Sequence, residues 1–301
     1  MRVILFNDTS GNRHYGCEFV VENLSIELQR RGMLLHWSNP VGVDWRNDAN
    51  MLPSPNDFDV ILVNGEGSIH HDATRPRAQW LAQVSEWASN INKPAFLINA
   101  TLQDLTNNCL NAISRFQKIL VRESSSLALL TKHGIQAQLC GDLTLLTQWE
   151  PNLSTESRYS LLVTDSVLPD NRVALRRFAA RSGYLFRPMK PRQNEAITRK
   201  DFVHMITQAE KVITGRFHTV TLCLLTGTPV LATESNTVKI SSTLQDALGN
   251  KNRVFDISEL ASLSEYHNYY YTTEEKLHLQ HYLQQCKQRW KTFFDELTQY
   301  S

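Results

Sequence analysis

Short runs of apolar, largely β-branched residues alternate along the chain with stretches of helical periodicity. The first set of runs is Val3 to Phe6, Val60 to Val63, Ala95 to Ile98, Ile119 to Val121 and Ala137 to Leu139. Such continuous runs between polar boundaries predict strands buried on both faces of a parallel sheet. Amphipathic stretches at Glu18 to Arg31, Arg77 to Ile91 and Ser124 to His133 separate them, the last stopped by Gly134. The first half therefore reads as a βαβ series. Around 148–159 periodicity lapses and Pro, Asn, Ser and Thr gather, which predicts a linker.

A second series follows, with strands at Ser160 to Thr164, Gly183 to Phe186, Lys211 to Thr214, Pro229 to Ala232 and Arg253 to Phe255. Helices are expected at Arg172 to Arg181, Lys200 to Gln208, Phe217 to Leu225 and Ser241 to Leu248. Thr273 to Leu297 contains neither Gly nor Pro, so one long terminal helix is expected there, packing back on the first domain. The pattern predicts an α/β protein of two Rossmann-like domains, residues 1–150 and 151–301. A chain of 301 residues with 42% hydrophobic content agrees, because it exceeds the size at which one core usually stops growing.

In doubly wound sheets ligands sit beyond the carboxyl ends of strands. The strongest signal at such an end is Lys211-Val-Ile-Thr-Gly215-Arg216-Phe217-His218, where an arginine and a histidine open an apolar helix. A helix N-terminus presents unpaired N–H groups and positive potential, so the added guanidinium and imidazole predict an anion site. The plainer alternative is an ordinary βα turn with Arg216 at the surface and His218 as a cap. Arg122 leaves another strand end, ahead of Ser124 to Ser126, which can cap the next helix. Glu234 and Lys239 follow a later strand, and the lysine adds charge to the same site or is solvated.

Asn64-Gly65-Glu66-Gly67-Ser68 reads as a loop whose glycines let backbone approach a ligand, with Glu66 a general base or a carboxylate satisfied by backbone N–H groups. The third glycine of a dinucleotide fingerprint is absent. The polar loop from Asp8 to Cys17, with Asn12 and His14, has the position of a substrate loop; Cys17 at its end is read as a buried, inert thiol. His70, His71 and Asp72 are adjacent and point in different directions, so no metal site is expected.

The net charge of +1 provides no broad basic field, which argues against nucleic acid as a partner and makes any anion site local. Five scattered cysteines without CxxC or zinc-ligand spacing predict no disulfide framework and fit a reducing cytoplasm. No secretory signal is expected from MRVILFNDTS, and no apolar run approaches the ~20 residues of a membrane span.

Taken together, these segments resemble the polysaccharide pyruvyl transferase family. The matching pieces are Asn64 to Ser68, Val121-Arg122-Glu123-Ser124 with Ser126 and Leu129, His133-Gly134-Ile135 leading to Gly141-Asp142, Ile213 to His218, Gly227-Thr-Pro229-Val230 and Lys239-Ile240. The resemblance implies a GT-B-like fold of two facing Rossmann-type domains. It also implies a transferase of surface polysaccharide biosynthesis that moves pyruvate from phosphoenolpyruvate to a sugar as a ketal, without a further cofactor. Residues 151–301 would be the donor side, with Arg216 and Lys239 binding donor together with Arg122 and Ser124 from the first domain, and His218 as the acid. Residues 1–150 would be the acceptor side, with Asn12, His14, Asn64 and Ser68 as candidates and Glu66 or Asp8 as the base. The acceptor would be a saccharide or lipid-linked saccharide, met in the cytoplasm, with peripheral contact at the inner face of the membrane in the lipid-linked case. The family commonly has Asn-x-Gly-Asp in the first loop and a run of glycines in the second, whereas this chain has Asn12-Arg-His-Tyr-Gly16-Cys17 and Asn64-Gly-Glu-Gly-Ser68. A GT-B glycosyltransferase using a nucleotide-activated sugar, and a non-catalytic sugar- or nucleotide-binding protein, are the competing readings.

Overall fold

In a computed structural model, residues 1–47, 52–148, 158–191, 195–263 and 269–300 are described. The first series runs β1 (Arg2–Asp8), α1 (Tyr15–Gln29), β2 (Leu34–Pro40), β3 (Val60–His70), α2 (Pro76–Ala82), α3 (Val84–Asn90), β4 (Ala95–Gln103), α4 (Asn107–Ile113), β5 (Lys118–Val121), α5 (Ser124–Lys132) and β6 (Gln138–Leu139). The second runs β7 (Leu162–Ser166), α6 (Pro169–Ser182), β8 (Leu185–Phe186), α7 (Arg199–Thr207), β9 (Val212–Gly215), α8 (Phe217–Thr226), β10 (Val230–Ala232), α9 (Lys239–Leu248) and α10 (Thr273–Leu297). Two parallel sheets result, as the apolar runs predict: β2-β1-β3-β4-β5-β6 and β10-β9-β7-β8.

The chain forms two compact units, one of residues 1–12, 20–143 and 286–301, the other of residues 13–19 and 144–285. In both sheets the first strand of the series lies between the second and the third, so the winding direction reverses at β1/β3 in one unit and at β7/β9 in the other. A reversal of this kind leaves a crevice beyond the strand ends, because the two flanking connections leave in opposite directions.

In the first unit, Val3 to Phe6 and Val60 to Val63 are wholly buried. Phe6 meets Trp37, Trp45 and Trp87 edge-on at 5.5, 5.8 and 5.7 Å, the favoured geometry for ring quadrupoles. The last turns of α10 belong to the same unit and bury Cys286, Trp290, Phe293 and Phe294, with the Trp290 indole N–H donating to the Gly141 carbonyl at 3.2 Å. In the second unit, Leu161, Val163, Leu175, Ala179 and Ile213 form a smaller core.

The structure differs from the sequence pattern at several points. The expected helix over 77–91 is two helices meeting at Gln83. β2 gives no continuous apolar run because it is an edge strand with exposed and half-buried residues along most of its length. The expected strand at 253–255 is reduced to a single bridge between Ala232 and Val254. Most of the expected linker, 149–157, lies outside the described residues. The glycine loop at Asn64 to Ser68 is not a loop. It is the continuation of β3, paired with β4 through Glu66 to Ala100 and slipping in register before Ile69. Gly65 explains the close pairing, since a Cβ there would lie 2.5 Å from the Ala100 Cβ and 2.7 Å from its Cα. Gly65→Ala therefore overpacks two buried strands. An equilibrium urea titration should show a loss of about 1–3 kcal/mol.

Candidate functional site

At the first reversal, the ends of β1, β3 and β4 carry a buried polar cluster. The Asn7 amide donates to the Asn64 carbonyl (2.5 Å) and the Ser68 hydroxyl (3.2 Å). The Glu66 carboxylate accepts from the Thr9 hydroxyl (2.5 Å) and the Asn64 amide (2.9 Å). Asn7, Glu66 and Asn99 all take left-handed backbone angles, with φ of 62°, 37° and 54°. Asparagine tolerates this region, whereas for glutamate it is strained and persists because the surroundings hold it. The sequence candidates Asn64, Glu66 and Ser68 are thus brought together. Asp8 is spent elsewhere, accepting from the Ser38 hydroxyl (2.7 Å) and the Ser10 N–H (3.0 Å). Asn12 ends a short 3-10 turn after β1.

Arg122 is 1% exposed, and its guanidinium donates to Asp142 at 3.0 Å and to the Thr101 hydroxyl at 2.6 Å. Asp142 is equally buried. Two of the motif pieces, twenty residues apart, are therefore one internal ion pair. The expectation that Ser124 to Ser126 cap α5 is not met: Glu123 holds the cap position without a capping hydrogen bond of its own. Its carboxylate instead accepts from Ser126 and Thr101, and Ser124 is the half-buried first residue of the helix.

At the second reversal, β9 ends at Gly215 beside β7, where a Cβ would lie 2.5 Å from the Ser166 side chain. That approach sets Arg216 against Asp165, which is 5% exposed and also accepts from the Met189 N–H at 2.9 Å. His218 lies in the first turn of α8, buried, and the helix is tied down by buried threonines, Thr164 to Thr219 at 3.5 Å and Thr144 to Thr221 at 2.7 Å.

His14 belongs to this unit and not with Glu66, because residues 13–19 pack here. Tyr15 stacks on Phe202 at 5.0 Å, its N–H donates to the Met189 carbonyl, and its hydroxyl donates to the Ile197 carbonyl. The His14 and His218 rings are 5.4 Å apart, edge to face. Gly16 allows this, since a Cβ there would fall 2.2 Å from the His218 Cβ. Burial, then the charges of His218, Arg216 and Lys190, holds the His14 imidazole well below its ordinary range. Lys239 is buried at the start of α9 and donates to the Asn236 side chain at 2.7 Å. Glu234 is a cap for that helix, accepting from the N–H groups of Ser235, Ile240 and Ser241.

Asn7 and Thr9 lie at the strand end and in the loop that the sequence selects, without a role for either there, whereas Asn99, Asp165 and Lys190 are not singled out by the sequence. Asp165 directly follows the expected strand over 160–164, where the strand-end rule looks, and in the structure it lies inside β7, which runs to Ser166.

The family profile described as Polysaccharide pyruvyl transferase matches residues 12–236. The chain belongs to that family. Membership makes it a polysaccharide-related transferase, and the match takes in His14, Asp165, Arg216 and His218 of the second cluster and Asn64, Glu66, Ser68 and Asn99 of the first, with Asn7 and Thr9 outside it. No curated protein matches the sequence. Among solved structures the chain is similar to an uncharacterized protein from Klebsiella pneumoniae, with 13% identity, TM-score 0.52, and 84% of this chain and 92% of that one covered. It is also similar to the UDP-GlcNAc 2-epimerase of Methanocaldococcus jannaschii, solved with UDP-GlcNAc and UDP, with 12% identity, TM-score 0.54, and 91% and 97% covered. These likenesses establish the fold, the GT-B-like type expected of the family. Among the described residues no helix is long and apolar enough to cross a membrane.

Two measurements check this electrostatic picture. Asp142→Asn leaves Arg122 buried without its counter-charge and should cost about 3–5 kcal/mol in chemical denaturation. Burial and the neighbouring cations hold the His14 imidazole of the folded protein well below the 6.5 at which it titrates in the unfolded chain. Its contribution to stability is therefore neutral above that value and becomes destabilising as pH falls through it. Denaturant midpoints compared between about pH 7.5 and pH 5 should fall less in His14→Gln than in the parent protein.

Proposed function

We propose that the protein transfers the pyruvyl group of phosphoenolpyruvate to two hydroxyls of a saccharide or lipid-linked saccharide, forming a ketal, and that the second unit holds the donor. One observation carries this reading: Arg216, still 15% accessible, and His218 stand at the N-terminus of α8, and after burial it is the charges of His218, Arg216 and Lys190 that hold the neighbouring His14 imidazole well below its ordinary range. A field that repels a proton attracts an anion, and phosphoenolpyruvate places a carboxylate and a phosphate on three carbons. Lys239, at the start of α9, is the second donor-side cation; Arg122, closed in by Asp142, shapes the end of β5 and α5 without touching substrate. In the first unit, the amides and hydroxyls of Asn7, Asn64 and Ser68 suit sugar hydroxyls, and Glu66 orients them.

In the reaction, His218 as imidazolium gives its proton to the donor methylene carbon while one sugar hydroxyl adds to the adjacent carbon. The proton of that hydroxyl returns to the imidazole. The second hydroxyl then displaces phosphate, which leaves with the remaining proton. Arg216 and the helix N-terminus stabilise the charge that builds on the phosphate oxygens.

Phosphoenolpyruvate should raise the melting temperature of the pure protein, and Arg216→Ala should abolish the rise. His218→Asn should keep donor binding and lower turnover by about 10²–10⁴, read as phosphate release in the presence of an acceptor. Stabilisation by a nucleotide sugar and none by phosphoenolpyruvate would establish the glycosyltransferase reading instead.

A further inference from the structure

Three side chains of the second unit meet in a way that anion binding does not require. The ligating atoms of His14, Cys17 and His218 all lie within 4.8 Å of one another, and each residue is less than 9% exposed. His14 immediately precedes α1 and Cys17 lies in its first turn, where the Cys17 N–H reaches the His14 ring. His218 comes from α8, and it reaches them because Gly16 has no side chain to keep it off. Tetrahedral zinc at ordinary Zn–N and Zn–S lengths needs ligand atoms about 3.3–3.6 Å apart. The three groups are within rotamer adjustment of that spacing.

We propose that His14, Cys17 and His218 form a binding site for a thiophilic divalent cation, zinc being the type case, and that occupation of it inhibits the enzyme. Two imidazoles and one thiolate are a borderline-soft donor set, which selects zinc over magnesium or calcium. Both imidazoles bind as neutral ligands, and the Cys17 thiol passes its proton to solvent as the metal–sulfur bond forms. The Cys17 N–H donates to His14 Nδ1 at 3.4 Å, a long bond that costs little to exchange for a metal bond. The thiolate is the only anionic ligand among the three, in surroundings already made positive by Arg216 and Lys190, so affinity depends on Cys17 above all. The fourth position is left open, as in a site that accepts water or an anion.

Inhibition rests on the proposed role of His218, because a metal-bound imidazole cannot donate a proton. The metal site itself does not, and its test is separate. Cobalt(II) titrated into the full-length protein should produce a near-ultraviolet thiolate-to-cobalt charge-transfer band that saturates at one equivalent and is displaced by zinc. Cys17→Ala should remove the band and weaken zinc at least about 10-fold, the loss that even an outer-shell partner can produce. Because the other four cysteines remain in that variant, a surviving band would overturn the assignment, as would the absence of any band in the parent protein. Cys17→Ser serves as the second variant if the alanine protein melts early. In the transfer assay, low zinc should inhibit the parent protein, while Cys17→Ala keeps its basal rate and loses the inhibition. If cobalt binds through Cys17 and zinc leaves transfer unaffected, the site stands as a ligand set and the inhibitory role is overturned. A parent protein that binds cobalt and has no activity with phosphoenolpyruvate would count against the proposed reaction alone.

Discussion

A strand buried in a parallel sheet cannot stop without leaving polar groups that water does not reach. In each unit of this protein that constraint is met where the winding reverses, and it determines most of what lies there. At β1/β3, amide side chains take up the backbone and carboxylate groups: Asn7 covers the Asn64 carbonyl, and Asn64 with Thr9 covers Glu66. At β7/β9, Asp165 accepts from both Arg216 and the Met189 N–H. Each cluster is a solution to hydrogen-bond satisfaction first and a surface for chemistry second.

Glycine makes both solutions geometrically possible. Gly65 and Gly215 sit where neighbouring strands come too close for a Cβ, and Gly16 where a helix turn comes too close to His218. None of these three is needed for positive φ. Their common use is approach, which places Glu66, Arg216 and His218 in fixed positions on rigid elements. The cost appears as left-handed φ at Asn7, Glu66 and Asn99, residues that the clusters hold in place.

The parallel sheets were legible because burial on both faces leaves an uninterrupted apolar run, and the Gly215 to His218 segment because a helix start with Arg and His is chemically unusual. What escaped the sequence was whatever depends on distant partners. Nothing local shows that Arg122 faces Asp142, or that the segment from Arg13 to Phe19 packs with residues near 190–218. Spacing along the chain does not link His14 and Cys17 to His218 for the same reason, since His218 is some two hundred residues away. Gly65 and Gly67 have the sequence signature of a loop because glycine usually breaks strands, and in β3 they lie at a bulged pairing instead.

The two arginines that the sequence presented as equivalent are physically different. Arg122 and its carboxylate are each 1% exposed, so separating them would strand a charge in a medium that cannot solvate it. Arg216 faces Asp165 with 15% of its side chain still accessible, beside a helix N-terminus and near Lys190. In the proposed reading a phosphate or carboxylate joins the Arg216 guanidinium without displacing Asp165, because a guanidinium has five N–H donors. The proposed anion site rests on partial exposure and spare donor capacity together, and of the two arginines only Arg216 has the exposure.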